Sequence, residues 1–163
     1  MRDSGSMFEY ASDPEVTKFV TWEHHRTVAD SVIFLRRVKM QCKRGEPSPW
    51  GIVLKESGML IGTIGYQNLN SNHSCAEVGF TLSRPYWNKG LMTEALREVL
   101  RFGFEKLNLN RIEARCKVDN IASERVMKKC GMKLEGVMRE QMFVKGEYHD
   151  LKMYSVLKRE YEA

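Results

Sequence analysis

Arg84-Pro85-Tyr86-Trp87-Asn88-Lys89-Gly90-Leu91-Met92-Thr93-Glu94-Ala95 is the stretch on which the fold turns. Behind it runs Cys75–Leu82, with the period-two pattern of a strand. Ahead of it Met92, Leu96, Val99, Leu100 and Leu107 return at helical spacing. The segment is therefore a strand–glycine loop–helix junction. Such a junction aims free backbone N–H groups and the positive end of a helix at one point, which suits phosphate or pyrophosphate. Lys89 adds a cation, and Gly90 allows close backbone approach. The plainer reading is a tight turn eased by Gly90 with a helix capped by Thr93, and the local residues leave both open. Neither a Walker loop nor a dinucleotide fingerprint is present.

Working outward, the amino-terminal side is helical. Met1 to Ala11 forms a short candidate helix, and Asp13-Pro14-Glu15 opens another with Asp as N-cap and Pro at the first position. Thr27-Val28-Ala29-Asp30 starts a third, whose Val28, Val32, Leu35 and Val38 form an apolar stripe up to Gly45. Pro47 and Pro49 end it. Trp50–Leu54 and Met59–Tyr66 then read as a hairpin about Lys55-Glu56-Ser57-Gly58, and Asn68–Ser74 as a polar loop. Beyond the junction follow a strand over Arg111–Lys117, a helix over Ala122–Cys130 and a closing hairpin of Val137–Val144 and Tyr148–Leu157. This order predicts an α/β layered domain with a mixed, mostly antiparallel sheet flanked by helices.

Composition narrows the classes. With 163 residues, 42% hydrophobic and 29% charged, the chain is long and apolar enough for one domain with a real core. We therefore expect a single domain over 1–163. The longest apolar run, Val32-Ile33-Phe34-Leu35, is far short of the roughly 18 residues of a membrane span. No basic-then-apolar leader opens the sequence, so the expected location is the cytoplasm, with no membrane partner. The net charge of +5 is spread in pairs such as Arg36-Arg37 and Lys128-Lys129, with no long cationic block, which argues against direct nucleic-acid binding. Cys42, Cys75, Cys116 and Cys130 show no metal-ligand spacing and read as reduced, mostly buried thiols; no metal is expected. The ten methionines read as core packing.

Several motifs in order resemble the GNAT N-acetyltransferases. They are Ala76-Glu77-Val78-Gly79-Phe80, the Tyr86–Ala95 loop, Asn110-Arg111-Ile112-Glu113-Ala114-Arg115, Asp119-Asn120-Ile121-Ala122-Ser123 and Cys130-Gly131-Met132. Glu135–Glu140 and Tyr148-His149-Asp150 extend the likeness to the RimJ/RimL-type, ribosomal-protein acetyltransferase branch. The resemblance spans roughly Phe8 to Tyr161 and implies the acyl-CoA N-acyltransferase fold. Two departures stand out. Family members open with a strand ahead of the first helix, which this sequence lacks, and Asn88 and Met92 replace small residues of the loop. Met92 must therefore point away from the ligand.

The resemblance implies a role for each matching residue. Backbone groups of Phe80, Thr81 and Leu82 would bond the pantetheine arm of acetyl-CoA as an added strand. Trp87, Asn88, Lys89, Gly90, Leu91, Met92 and Thr93 would cradle its pyrophosphate. Asn120 would contact the pantetheine amide, although Asp119-Asn120 also suits a helix cap. The position where many superfamily members carry an acidic Tyr is Met127, which cannot donate a proton. Ser123 resembles the serine near the thiol in RimL-type enzymes, as proton donor or thiolate stabiliser. Glu77 is the candidate base through a water, with a salt-bridged strand glutamate as the alternative. A backbone N–H near Val78 to Phe80 is the expected oxyanion donor.

Among the remaining candidates, His149 and Asp150 are adjacent and alternate across a strand, so they cannot form a simple dyad. Tyr148 reads as core or interface, and His24 and His25 as loop histidines near the acceptor entrance. The implied activity is acetyl transfer from acetyl-CoA to a primary amine, a peptide N-terminus as in ribosomal-protein acetylation or a small amine. A homodimer is compatible with it. The alternative is a non-catalytic CoA-binding sensor or interaction module. A basic RNA-associated protein would explain the charge but leaves the loop without a purpose.

Overall fold

The computed structural model describes residues 3–161. Six strands hydrogen-bond in the order β1-β2-β3-β4-β6-β5: β1 Trp50–Val53, β2 Leu60–Asn70, β3 Cys75–Leu82, β4 Arg111–Lys117, β5 Lys133–Val144 and β6 Glu147–Leu157. The β1–β2, β4–β6 and β5–β6 ladders are antiparallel and the β3–β4 ladder is parallel, so the sheet is mixed and mostly antiparallel as expected. The helices are α1 Ser4–Ala11, α2 Pro14–Thr17, α3 Val28–Lys43, α4 Leu91–Glu105, α5 Ile121–Lys129 and α6 Lys158–Tyr161. The first helix opens at Ser4, and the first strand among the described residues is β1.

Residues 3–65 with 80–91 form one compact unit, and 66–79 with 92–161 another. In the first, Met7, Tyr10, Ala11, Val16 and Leu60 make a buried cluster against which Trp22, Phe34 and Leu35 pack. Asp13 caps α2 by accepting from the N–H of Glu15 at 2.9 Å. The box at the start of α3 closes through Asp30, whose Oδ2 accepts from the N–H groups of Arg26 and Thr27 at 3.0 and 2.9 Å. Gly62 packs under the end of β3, where a Cβ would run into the Thr81 carbonyl oxygen.

The second unit is built around α4 and β4. Leu96, Val99, Leu100 and Phe104 bury one face of α4, while Ile112, Ala114 and Cys116 bury one face of β4. The Tyr66 hydroxyl donates to the Val99 carbonyl at 2.6 Å. Glu124 of α5 accepts from Lys152 at 2.6 Å and Tyr154 at 2.7 Å, both of β6, and pairs with Lys128 at 2.6 Å.

Four expectations need correction. The polar stretch from Asn68 is not a loop: β2 continues through Asn70 with its side chains exposed, and the turn is confined to Ser71–Ser74, where Ser74 takes a φ of 48°. Backbone pairing with β3 overrides the polar composition. The α3 stripe is not core either. Val28 is exposed, Val32, Leu35 and Val38 are half-buried, and Ser31 is the one fully buried residue of the helix. Leu107 lies beyond α4 and is exposed. Of the four free cysteines only Cys116 is buried, and burial pushes its thiol up to about 11.

Two outcomes follow from this packing. Gly62→Ala is expected to destabilise the protein by about 1–3 kcal/mol in urea unfolding, because the added methyl meets backbone that cannot turn aside. Glu124 is held down to about 2 from 4.5, first by its bond from Lys128, then by those from Lys152 and Tyr154. Its contribution is complete above pH 4.5 and is lost as pH falls from there towards 2. Acid unfolding of Glu124→Gln should therefore be shallower over that window than that of the parent chain.

Candidate functional site

The candidate site begins where the β3–β4 ladder ends. That ladder holds three pairs, Cys75↔Arg111, Ala76↔Ile112 and Glu77↔Glu113, while β3 itself runs on to Leu82. Val78, Gly79, Phe80, Thr81 and Leu82 thus extend with no β4 residue paired to them. An extended edge of this kind exposes N–H and C=O groups to a ligand that can pair like a strand.

Beyond Leu82 the chain folds into a 3-10 turn over Arg84–Tyr86, whose Arg84 Nε pairs with Asp13 at 2.8 Å. Trp87 ties the loop back to its strand, its Nε1 donating to the Leu82 carbonyl at 2.7 Å. Asn88 and Gly90 take φ values of 59° and 79°, in the left-handed region. Asn tolerates that region through its short polar side chain, and Gly carries no Cβ to oppose it. A Cβ at Gly90 would meet nothing within 4 Å, so backbone conformation rather than space requires the glycine. The Lys89 ammonium lies 5.3 Å from the Tyr86 ring centroid. Leu91, Met92 and Thr93 then form the first turn of a 15-residue helix, whose N–H groups have no intrahelical partners. The Met92 side chain is buried.

Asn120 and Ser123 meet at the start of α5. The Asn120 Oδ1 accepts from the N–H of Ser123 at 3.1 Å, so the cap expected from Asp119-Asn120 is formed. Met127 is fully buried inside α5, and no proton donor replaces it there. Glu77 is 7% exposed and held by Arg115 and Asn68. Its Oε1 and Oε2 accept from Nε and Nη2 of Arg115 at 2.8 and 2.6 Å, and Oε2 also accepts from Asn68 at 2.9 Å. The same bond is the chief reason that the Arg115 guanidinium is held above its ordinary range.

His149 and Asp150 diverge as strand alternation requires. His149 Nε2 lies 3.1 Å from Nζ of Lys117, whereas the Asp150 carboxylate accepts the N–H of Glu140 at 2.7 Å. Tyr148 is exposed against Phe143, ring centroids 4.8 Å apart, and is not core. His25 is half-buried rather than open to solvent: its Nδ1 lies 2.8 Å from the Ser31 hydroxyl, and burial lowers its pKa. It lines a cavity of about 260 Å³ together with Tyr10, Trp22, Asp30, Phe34 and Arg37. The Tyr10 hydroxyl is buried there on the same lining as Thr63, and burial pushes it up to about 12.

Arg115 closes a motif read from the sequence but has no role assigned there, and Lys117 lies outside the motifs. Their signal was present in the alternation of Arg111, Glu113, Arg115 and Lys117 with Ile112, Ala114 and Cys116, which places all four charges on one face of β4. Among the described residues, no group of three or more His, Cys, Asp or Glu side chains could hold a metal ion.

The sequence matches the acetyltransferase (GNAT) domain family over residues 1–133. It is 33% identical over 161 residues to N-acetyltransferase p20 of Bacillus licheniformis, itself uncharacterized, covering 99% of this chain and 90% of that one. It is 28% identical over 96 residues to the ribosomal-protein-serine acetyltransferase of Escherichia coli, covering 59% and 54%. The crystal structure of a GNAT-family acetyltransferase from Bacillus anthracis superposes with a TM-score of 0.85 at 29% identity, over 97% of this chain and 90% of that one. With the unpaired edge of β3, the left-handed loop and the opening of α4 all in place, the chain belongs to the GNAT N-acetyltransferases, with RimJ/RimL-type enzymes among its relatives.

Proposed function

We propose that the chain carries an acetyl group from acetyl-CoA directly to a primary amine within a ternary complex. The observation that carries this reading is the run from the unpaired β3 edge through Asn88 and Gly90 into the free first turn of α4. Acetyl-CoA supplies the activated thioester. Phe80, Thr81 and Leu82 would hold its pantetheine arm by backbone hydrogen bonds, with Asn120 on the arm's amide. Trp87, Asn88, Lys89, Gly90, Leu91, Met92 and Thr93 would hold the pyrophosphate, the N–H groups and Lys89 supplying donors and charge.

Transfer needs an oxyanion donor, a proton acceptor for the ammonium and a proton donor for the thiolate. A backbone N–H near Val78 to Phe80 fills the first role. Ser123 fills the third. Glu77, with both oxygens already engaged by Arg115, would act on the amine through a water. The acceptor would enter beside His24, His25 and the cavity around Trp22. It is a peptide N-terminus, as the likeness to a ribosomal-protein-serine acetyltransferase favours, or a small amine. The chain would act in the cytoplasm as one GNAT domain over 1–163, alone or as a homodimer, without nucleic acid or membrane. Met127 favours a second reading, a CoA-binding module without turnover.

Millimolar acetyl-CoA should raise the melting temperature by mass action on the folded state; an unchanged transition would overturn both readings. A thiol-release screen over peptide N-termini, polyamines and aminoglycosides separates them, since a binding module releases no thiol with any acceptor. With the acceptor found, Ser123→Ala and Glu77→Gln should each lower kcat by about tenfold or more while the acetyl-CoA shift stays intact. Lys89→Ala should instead reduce that shift and spare kcat.

A further inference from the structure

The charged face of β4 is neutralised pair by pair until its last member. Arg111 is bound by Glu113 at 3.0 Å and by Glu135 at 2.6 Å, and Arg115 by Glu77. Lys117, 7% exposed, meets no carboxylate within ion-pair distance among the described residues. Its Nζ meets a second base instead, Nε2 of His149 at 3.1 Å. An ammonium and an imidazolium both lack a lone pair, so this contact requires an unprotonated nitrogen on one side. Two cations at that distance would also repel strongly at a buried site.

The backbone of Lys117 also leads into the turn that carries two of the proposed site residues. Its carbonyl accepts the N–H of Asn120 at 2.9 Å, and Asn120 in turn caps Ser123. The charged groups acting on the Lys117 amine are Lys145 and Glu147 at the β5–β6 turn and Asp119 in the β4–α5 connection; towards β3, Glu77 is taken by Arg115. Burial is the largest influence and lowers the Lys117 pKa. Lys145 acts in the same direction, against Asp119 and Glu147.

We propose that Lys117 and His149 are the terminal proton-accepting pair of the transfer, Lys117 Nζ taking the proton and His149 Nε2 accepting the N–H so formed. This rests on the acetyl-transfer reading and gives the proton leaving the acceptor a destination. The ammonium of the acceptor loses one proton to the Lys117 lone pair, and its nitrogen attacks the thioester carbonyl carbon. The adduct collapses with cleavage of the C–S bond, the electron pair leaving on sulfur. The second proton passes from the adduct nitrogen through the Ser123 hydroxyl to the thiolate. The products are an amide and a free thiol, and Lys117 returns its proton to water.

The test is the pH dependence of kcat/KM, with acetyl-CoA thermal shifts as the control for folding. Lys117→Arg, whose guanidinium cannot take a proton, should lower kcat/KM about 100-fold and leave the acetyl-CoA shift unchanged. His149→Phe removes the acceptor for the new N–H and should move the acidic limb to lower pH. A Lys117→Arg enzyme with the parent rate and profile overturns the proposal. If no acceptor is acetylated by the parent chain, the transfer reading fails on its own, and the pair is still read by nitrogen-15 NMR titration of Lys117 Nζ in the free protein. In His149→Phe, which removes the acceptor for the protonated form, Lys117 Nζ should then protonate at lower pH than in the parent chain. An unchanged titration would mean that the two nitrogens do not share a proton.

Discussion

The parallel ladder between β3 and β4 lasts three residue pairs, and much of the architecture follows from its brevity. Parallel neighbours cannot be joined by a hairpin, so the chain must cross over through a helix, here α4. That crossover obliges β3 to end in a loop feeding a helix N-terminus. The same arrangement that closes the sheet therefore produces a concentration of free N–H groups. Because pairing stops at Glu77↔Glu113, the rest of β3 keeps an extended backbone on which a strand-like ligand can add. Two features needed for acyl-CoA thus come from one topological constraint.

Glycine and asparagine make that constraint workable. Asn88 occupies left-handed space where small residues were expected, yet it is among the residues that tolerate such a φ. Met92, the other departure, is the second residue of α4 and its side chain is buried. Both substitutions thus alter side chains that the proposed anion site would not use. Apart from Lys89, its proposed donors are backbone groups, which almost any sequence supplies once φ is permitted.

Elements with a strong periodic signal were legible from the amino acids alone. β3 and β4 have the predicted bounds, and α4 begins within one residue of its expected start, because a buried face enforces its own period. The polar end of β2 and the α3 stripe were not. Exposed Gln67 to Asn70 carry no apolar alternation, and only pairing with β3 makes them a strand. On α3 the apolar residues are only partly covered, whereas Ser31 is fully buried against His25, a contact that no hydropathy pattern encodes. At the site, the motif residues were legible because they lie close together in sequence. The pairing of Arg115 and the place of Lys117 were not, since they depend on Glu77 and His149, 38 and 32 positions away.

The charge of the chain bears on the same point. A surplus of five positive charges reads as a hint of polyanion binding, but on β4 the cations are used singly. Arg111 and Arg115 face carboxylates in fork geometry, which fixes them as permanent charges. Lysine differs in being able to lose its proton when desolvated, and the one lysine on this face is the one cation without a carboxylate. Had arginine stood at 117, burial would have left an unpaired charge with no means of neutralising itself. Lysine can give up a proton where burial disfavours its charge, and burial lowers the Lys117 pKa. The contact with His149 therefore suits a pair that exchanges protons, which a fixed guanidinium charge could not do.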